Sequence, residues 1–135
     1  MELAAQRLNA ATDALRAMLS FEHPADAVLR SFFREHRALG QRARGLVAEL
    51  AFAALRHLRL LETLAGGRHP RRLVLAAAAL IEGRSLRQLE PVLRKDEAQW
   101  LAGVRAAEAH GLPPAVQVSL PDWIWERLLA AMRRH

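Results

Sequence analysis

The sequence contains no cysteine among its 135 residues. This excludes disulfides, thiolate metal sites and cysteine nucleophiles, and it fits a reducing compartment. Long apolar runs are also missing: the longest, residues 73–81, is far shorter than the roughly 18 to 20 residues of a membrane span. The N-terminal residues are amphipathic and contain acids, unlike the apolar core of a signal peptide. We therefore expect a cytoplasmic protein with no membrane partner.

Motifs for catalysis or cofactor binding are scarce as well. The six histidines lack a metal-ligand spacing such as HExxH, the seven glycines form no GxGxxG or GxxxxGK[ST] loop, and no serine lies in a GxSxG turn. The adjacent acids Asp96 and Glu97 are expected at a helix start, where carboxylates complement the helix dipole. His36 is expected on an apolar helix face as a core or edge histidine. The residues thus predict no catalytic group, no metal site and no cofactor within this chain.

The positive charge is unevenly distributed. The formal net charge is +6, yet residues 30–72 alone hold ten arginines against three acids, a net of +7, and the rest of the chain sums to −1. A concentrated basic segment is the electrostatic footprint expected of a protein that binds a polyanion. The alternative is a solvated face that Glu35, Glu49 and Glu62 partly neutralise.

Apolar residues recur at helical spacing along nearly the whole chain, whose length suits one domain. Helices are predicted over residues 3–20, 24–39, 41–65, 73–81, 85–90 and 96–110, followed by an extended segment at 111–119 and a last helix from residue 120. Gly40 and Gly66 are the expected helix stops, and Ser85 with Gln88 forms an expected capping pair. No stretch alternates with period two, so the predicted class is all-α, a compact bundle of five to seven helices.

The arginines of the basic segment define a candidate binding surface. Arg30, Arg34 and Arg37 follow i, i+4, i+7 spacing on one helix face, and Phe52 is expected beside arginines on a face turned away from the core. Guanidinium groups bind phosphates through paired hydrogen bonds and stack on bases, which suits RNA. The predicted RNA-binding residues are Arg30, Arg34, Arg37, Arg42, Arg44, Phe52, Arg56, Arg59, Arg68, Arg71 and Arg72. The alternative for some of these arginines is ion pairing with an adjoining protein domain.

Two stretches resemble a known family. The segment HPADAVLRSFFREHRALGQRARGLVAELAFAALRHLRLLE resembles the N-terminal region of bacterial 16S ribosomal RNA cytosine-5 methyltransferases, a domain with the all-α fold of the NusB antitermination factor. The residues that match the family pattern are Arg42 and Arg44 at a helix start, then Phe52, Ala53, Leu55 and Arg56. LPDWIWERL, residues 120–128, resembles the Pro-x-Trp-Leu helix that leads from that domain to the catalytic part. The family usually has glycine where Ala53 stands, and its Asn-containing segment is not recognisable at residues 85–99.

The resemblance implies an accessory domain of a larger enzyme. Such enzymes carry catalytic cysteines and an S-adenosylmethionine fold downstream, and these 135 residues contain neither. It implies a NusB-like helical domain at residues 1–119 and, at 120–135, a helix leading toward an absent C-terminal methyltransferase domain. Ribosomal RNA and that domain would be the partners, with S-adenosylmethionine a cofactor of the full-length enzyme only. The alternative is a free-standing antitermination-like adaptor that acts through protein contacts.

The two tryptophans of LPDWIWERL are predicted on opposite helix faces. Trp125 shares the apolar face, whereas Trp123 points toward Arg127. Trp123 either packs on Val118 as a hydrophobic staple, with a cation–π contact to Arg127, or docks with Arg127 against the next domain.

Overall fold

The chain is helical throughout most of its computed structural model, which describes residues 3–109 and the side chains of residues 3–105. The α-helices are α1 (Ala5–Met18), α2 (Ala25–Glu35), α3 (Gln41–Arg56), α4 (Leu58–Ala65), α5 (Pro70–Ala76), α6 (Leu86–Leu89) and α7 (Lys95–Ala109). A π-helical turn (Ala77–Ile81) continues α5, and a 3₁₀ turn (Glu90–Val92) continues α6. There is no strand within residues 3–109, and the predicted all-α bundle of five to seven helices is confirmed. The predicted extended segment at 111–119 and the helix from residue 120 lie outside the described residues.

Helix α1 lies at the centre of the bundle, where it packs against α2, α3 and α5. Its stripe at helical spacing, which includes Leu8, Leu15 and Met18, is almost completely buried. Each such side chain contributes about 1.5–3 kcal/mol through burial. The buried hydroxyl of Thr12 donates to the carbonyl oxygen of Leu8 at 2.8 Å. The helix therefore joins the core without an unsatisfied hydroxyl.

The predicted apolar helix at residues 73–81 is buried, as a helix that is apolar on all sides should be. Leu73, Ala79 and the five residues between them are all buried, whereas Leu80 is partly buried and Ile81, at the end of the π-helical turn, is 38% exposed. Arg105 Nη1, on α7, donates to the carbonyl oxygen of Ala79 at 2.8 Å. This carbonyl of the π-helical turn therefore has a hydrogen-bond partner from another helix. In the described part of the chain, no helix combines the length and apolarity needed to cross a membrane.

The prediction of one long helix at residues 41–65 is wrong, because the helix is interrupted at His57, which separates α3 from α4. His57 leaves helical geometry, with φ −109° and ψ 26°. Neither glycine nor proline lies at the break, so the local sequence gives no sign of it. Helix α3 packs chiefly on α1 and also contacts α5, whereas α4 packs on α5. The break therefore separates a helix that faces mainly α1 from a helix that faces α5.

Two of the predicted helix boundaries, Gly66 and the Ser85–Gln88 pair, are present, whereas the predicted stop at Gly40 is wrong: α2 already ends at Glu35, and Gly40 is the N-cap residue of α3. Gly66 adopts the left-handed conformation with φ 75°, and the N–H of Gly67 reaches back to the carbonyl oxygen of Glu62 at 2.8 Å, a Schellman-type ending that favours glycine. Ser85 and Gln88 form the predicted capping box, in which each side chain bonds to the other residue's backbone N–H. Short-range chemistry thus sets these helix ends.

Candidate nucleic-acid interface

The connection between α2 and α3, residues 36–40, begins with His36. Helix α2 ends at Glu35, one residue before His36. The His36 ring stacks on the Phe32 ring with centroids 3.9 Å apart, and its Nδ1 lies 2.8 Å from the Phe32 carbonyl oxygen. Because a carbonyl oxygen only accepts, the ring nitrogen donates this bond and satisfies a carbonyl at the helix end. His36 therefore lies just past the end of α2 and is exposed, and not on an apolar helix face as expected, although its ring packs on Phe32.

Four arginines line one cleft formed by α2, the connection and the first turn of α3. The cleft has a volume of about 720 Å³. Its lining residues are Ala27, Arg30, Ser31, Phe33, Arg34, Arg37 and Arg44. Arg37 follows the end of α2, so the predicted helical stripe stops before it, yet the connection still brings Arg37 to the cleft. The cleft combines concentrated positive charge with an apolar wall.

Little negative charge offsets these arginines. Arg30 pairs with Asp26 as predicted, but at 3.6 Å and with both side chains more than 70% exposed, so the pair contributes little. Arg34 Nη2 donates to Ser31 Oγ at 3.0 Å. Among residues 3–105, no acid forms an ion pair with Arg34, Arg37 or Arg44. Their charge remains available to an anionic ligand.

Arg44 is held more firmly than the other arginines of the cleft. Its Nε donates to the carbonyl oxygen of Leu39 at 2.9 Å, and Leu39 is itself buried. Its guanidinium carbon lies 5.7 Å from the centroid of the Phe33 ring, within cation–π range. Phe33 is not among the predicted RNA-binding residues, because its contact with Arg44 depends on how the connection between α2 and α3 folds. The guanidinium of Arg44 is thus ordered before any ligand arrives.

A second, shallower depression lies along α3. It measures about 400 Å³ and is lined by Ala48, Glu49, Phe52 and Arg56. Phe52 is partly buried against the core, and within the described residues no guanidinium lies over its ring. Arg59 lies beyond the break, on α4. The structure therefore brings Phe52 and Arg56 together and gives them an acid as a neighbour.

The remaining predicted arginines are distributed elsewhere. Arg42 is exposed on the first turn of α3. Arg68 Nε bonds to Glu62 Oε1 at 2.6 Å, and its guanidinium carbon lies 5.7 Å from the ring centroid of Phe21. Arg72 lies 4.9 Å from the ring centroid of Trp100 and 3.8 Å from Asp96. Arg68 and Arg72 thus already interact with residues of the chain.

Arg71 forms an ion pair with Glu97 in which the carboxylate is buried and the Arg71 side chain is 21% exposed. Its Nε and Nη2 bond to the two carboxylate oxygens of Glu97 at 2.5 and 3.0 Å, and Nη2 also donates to the Val92 carbonyl oxygen at 2.9 Å. The Glu97 side chain is 4% exposed. Glu97 Oε1 also accepts from the backbone N–H of Arg94 at 2.9 Å. In this arrangement Arg71 joins α5 to α7 and does not face a ligand.

Burial of the Glu97 carboxylate raises its pKa, but the hydrogen bonds from Arg71 and the Arg94 N–H, with the charges of both arginines, outweigh burial and leave the pKa below its ordinary value. Because the folded pKa lies below the unfolded one, ionised Glu97 stabilises the fold above about pH 4.3. That stabilisation is lost as pH falls through the folded pKa.

We expect Glu97→Gln to lower the free energy of unfolding near pH 7, and the difference from wild type to shrink as pH falls below about 4.3. Urea unfolding at several pH values between about 3 and 7 measures this. The matched control is Asp96→Asn, because Asp96 is 72% exposed and lies in the same helical turn. A Glu97→Gln difference that stays constant over this range would contradict the prediction.

The proposed docking residues Trp123 and Arg127 lie outside the described residues. Within residues 3–105, no group of three or more histidine, aspartate or glutamate side chains could hold a metal ion.

No known family profile matches the chain, and neither a curated protein nor a solved structure is significantly similar to it.

Proposed function

We propose that this chain is a non-catalytic RNA-binding domain, and that the cleft of Arg30, Arg34, Arg37 and Arg44 is where it contacts RNA. The observation that carries the proposal is the gathering of these four arginines in one cleft, three of them without an ion pair among residues 3–105. Guanidinium groups so arranged can neutralise several phosphates of one ligand.

The mechanism is electrostatic and does not depend on base sequence by itself. Contacts to phosphate position a nucleic acid, whereas contacts to bases specify it. The sequence resemblance supports ribosomal RNA as the target and a cytosine-5 methyltransferase as the enzyme that this domain assists. In that setting the catalytic domain would supply the cofactor site and the choice of nucleotide.

Salt dependence tests the proposal. We expect the 135-residue chain to bind structured RNA with an affinity that falls as salt rises, with a slope of log K against log salt of roughly −2.8 to −3.6 if four phosphates are neutralised. Fluorescence anisotropy with a labelled ribosomal RNA hairpin at several salt concentrations measures it. An absence of binding at about 50 mM salt would reject RNA binding and favour the adaptor that works through protein contacts.

A further inference from the structure

The arginine cleft differs from a plain phosphate-binding surface because one of its walls is apolar and one of its cations is fixed. Ala27 and Phe33 share the lining with the arginines. A volume of about 720 Å³ lies within the roughly 300–1,000 Å³ typical of small-ligand pockets. A surface that only tracked the outside of a double helix would not need the apolar wall.

We propose that the cleft holds an unpaired nucleotide of single-stranded RNA, with its base against the planar group of Arg44 and its phosphates on Arg34 and Arg37. This rests on the proposed RNA-binding function and names the form of RNA that the same site prefers. Arg44 is the residue suited to the base, because its guanidinium lies over the Phe33 ring while its Nε is bound to the Leu39 carbonyl oxygen.

The fixed guanidinium matters because stacking requires a plane in a defined position. A free arginine side chain would lose rotamer entropy on stacking, whereas Arg44 is already ordered by Leu39 and Phe33. Bases inside an A-form duplex are stacked on each other, so such a duplex offers the cleft only phosphates and 2′-hydroxyls. An unpaired base has a free face, and stacking on it is tolerant of sequence. The cleft should therefore prefer single strands.

The preference can be measured with two RNA probes of roughly ten nucleotides per strand, an unstructured strand and a blunt duplex that contains the same strand. We expect wild type to bind the single strand more tightly than the duplex. Arg44→Lys keeps the charge and removes the plane, so it should weaken single-strand binding on the order of tenfold and duplex binding less than about twofold. Phe33→Leu keeps an apolar side chain and removes the support for Arg44, so it should show the same selective loss.

Arg34→Lys is the matched control, since it lies in the same cleft and is expected to affect both probes equally. Circular dichroism and thermal unfolding establish that each variant is folded. The inference would be overturned if Arg44→Lys and Phe33→Leu lost equal affinity for both probes, or lost none for either. It would also be overturned if wild type bound the duplex more tightly than the single strand. Each of these results would leave RNA binding intact. Failure of wild type to bind either probe would reject the proposed function and this inference with it.

Discussion

Replacing Arg71 with methionine is expected to lower the free energy of unfolding by about 3–5 kcal/mol, the range typical of removing one partner of a buried ion pair. The substitution leaves the Glu97 carboxylate, 4% exposed, without the guanidinium that bonds to both of its oxygens. The Val92 carbonyl oxygen loses a donor as well. Urea unfolding followed by circular dichroism at pH 7 measures the effect.

A double-mutant cycle separates the ion pair from the packing of Arg71. Glutamine at position 97 is neutral and can still accept from the Arg94 N–H, so the Arg71→Met/Glu97→Gln double variant leaves no buried charge. We expect the double variant to be less destabilised than the sum of the two single variants, by about 2 kcal/mol or more. The control, Arg72→Met, removes a partly exposed pair with a 3.8 Å separation and a cation–π contact to Trp100, and should cost less than about 1 kcal/mol. Additive single effects would show that Arg71 and Glu97 are not coupled.

The Arg71–Glu97 pair also shows where sequence reasoning stops. Asp96 and Glu97 were expected simply to complement the start of a helix, and Arg71 was expected to bind phosphate. Glu97 does lie in the first turn of α7, but its carboxylate is buried because α5 packs against α7. The partners are 26 residues apart, and no local pattern indicates that they meet. A charge count weighs all arginines equally, whereas the fold leaves some exposed and places others in ion pairs.

Features set by neighbours along the chain were predicted well. The stripe of α1, the Gly66 ending and the Ser85–Gln88 capping box each depend on residues a few positions apart, and each is present. The break at His57 was not predictable, because it depends on how α3 and α4 pack in the bundle and neither glycine nor proline marks it. The cleft was only partly predictable. Helical spacing grouped Arg30, Arg34 and Arg37, but Arg37 lies past the end of α2, and the connection that brings Arg37 and Arg44 to the cleft is a matter of tertiary structure.

Reversing charge in the cleft is the most direct probe of the proposed interface. We expect Arg34→Glu/Arg37→Glu to weaken binding of a structured ribosomal RNA hairpin by about 100-fold at roughly 0.1 M salt. Two charge-assisted contacts to phosphate at about 1.5 kcal/mol each correspond to a loss of this size. Because neither arginine forms an ion pair among residues 3–105, the free energy of unfolding should change by no more than about 0.5 kcal/mol. Anisotropy titrations together with urea unfolding measure both quantities.

The matched control changes the net charge by the same amount at a different place. Arg16 lies on α1 and Arg87 on α6, both are exposed, and neither lines the cleft. Arg16→Glu/Arg87→Glu should weaken RNA binding less than about fivefold, since only the long-range field changes and salt screens it within about 10 Å at 0.1 M. The cleft variant should also reduce the magnitude of the salt slope by roughly 1.5, whereas the control should leave it unchanged. Equal losses for the two double variants would mean that net charge, and not the cleft, attracts the RNA.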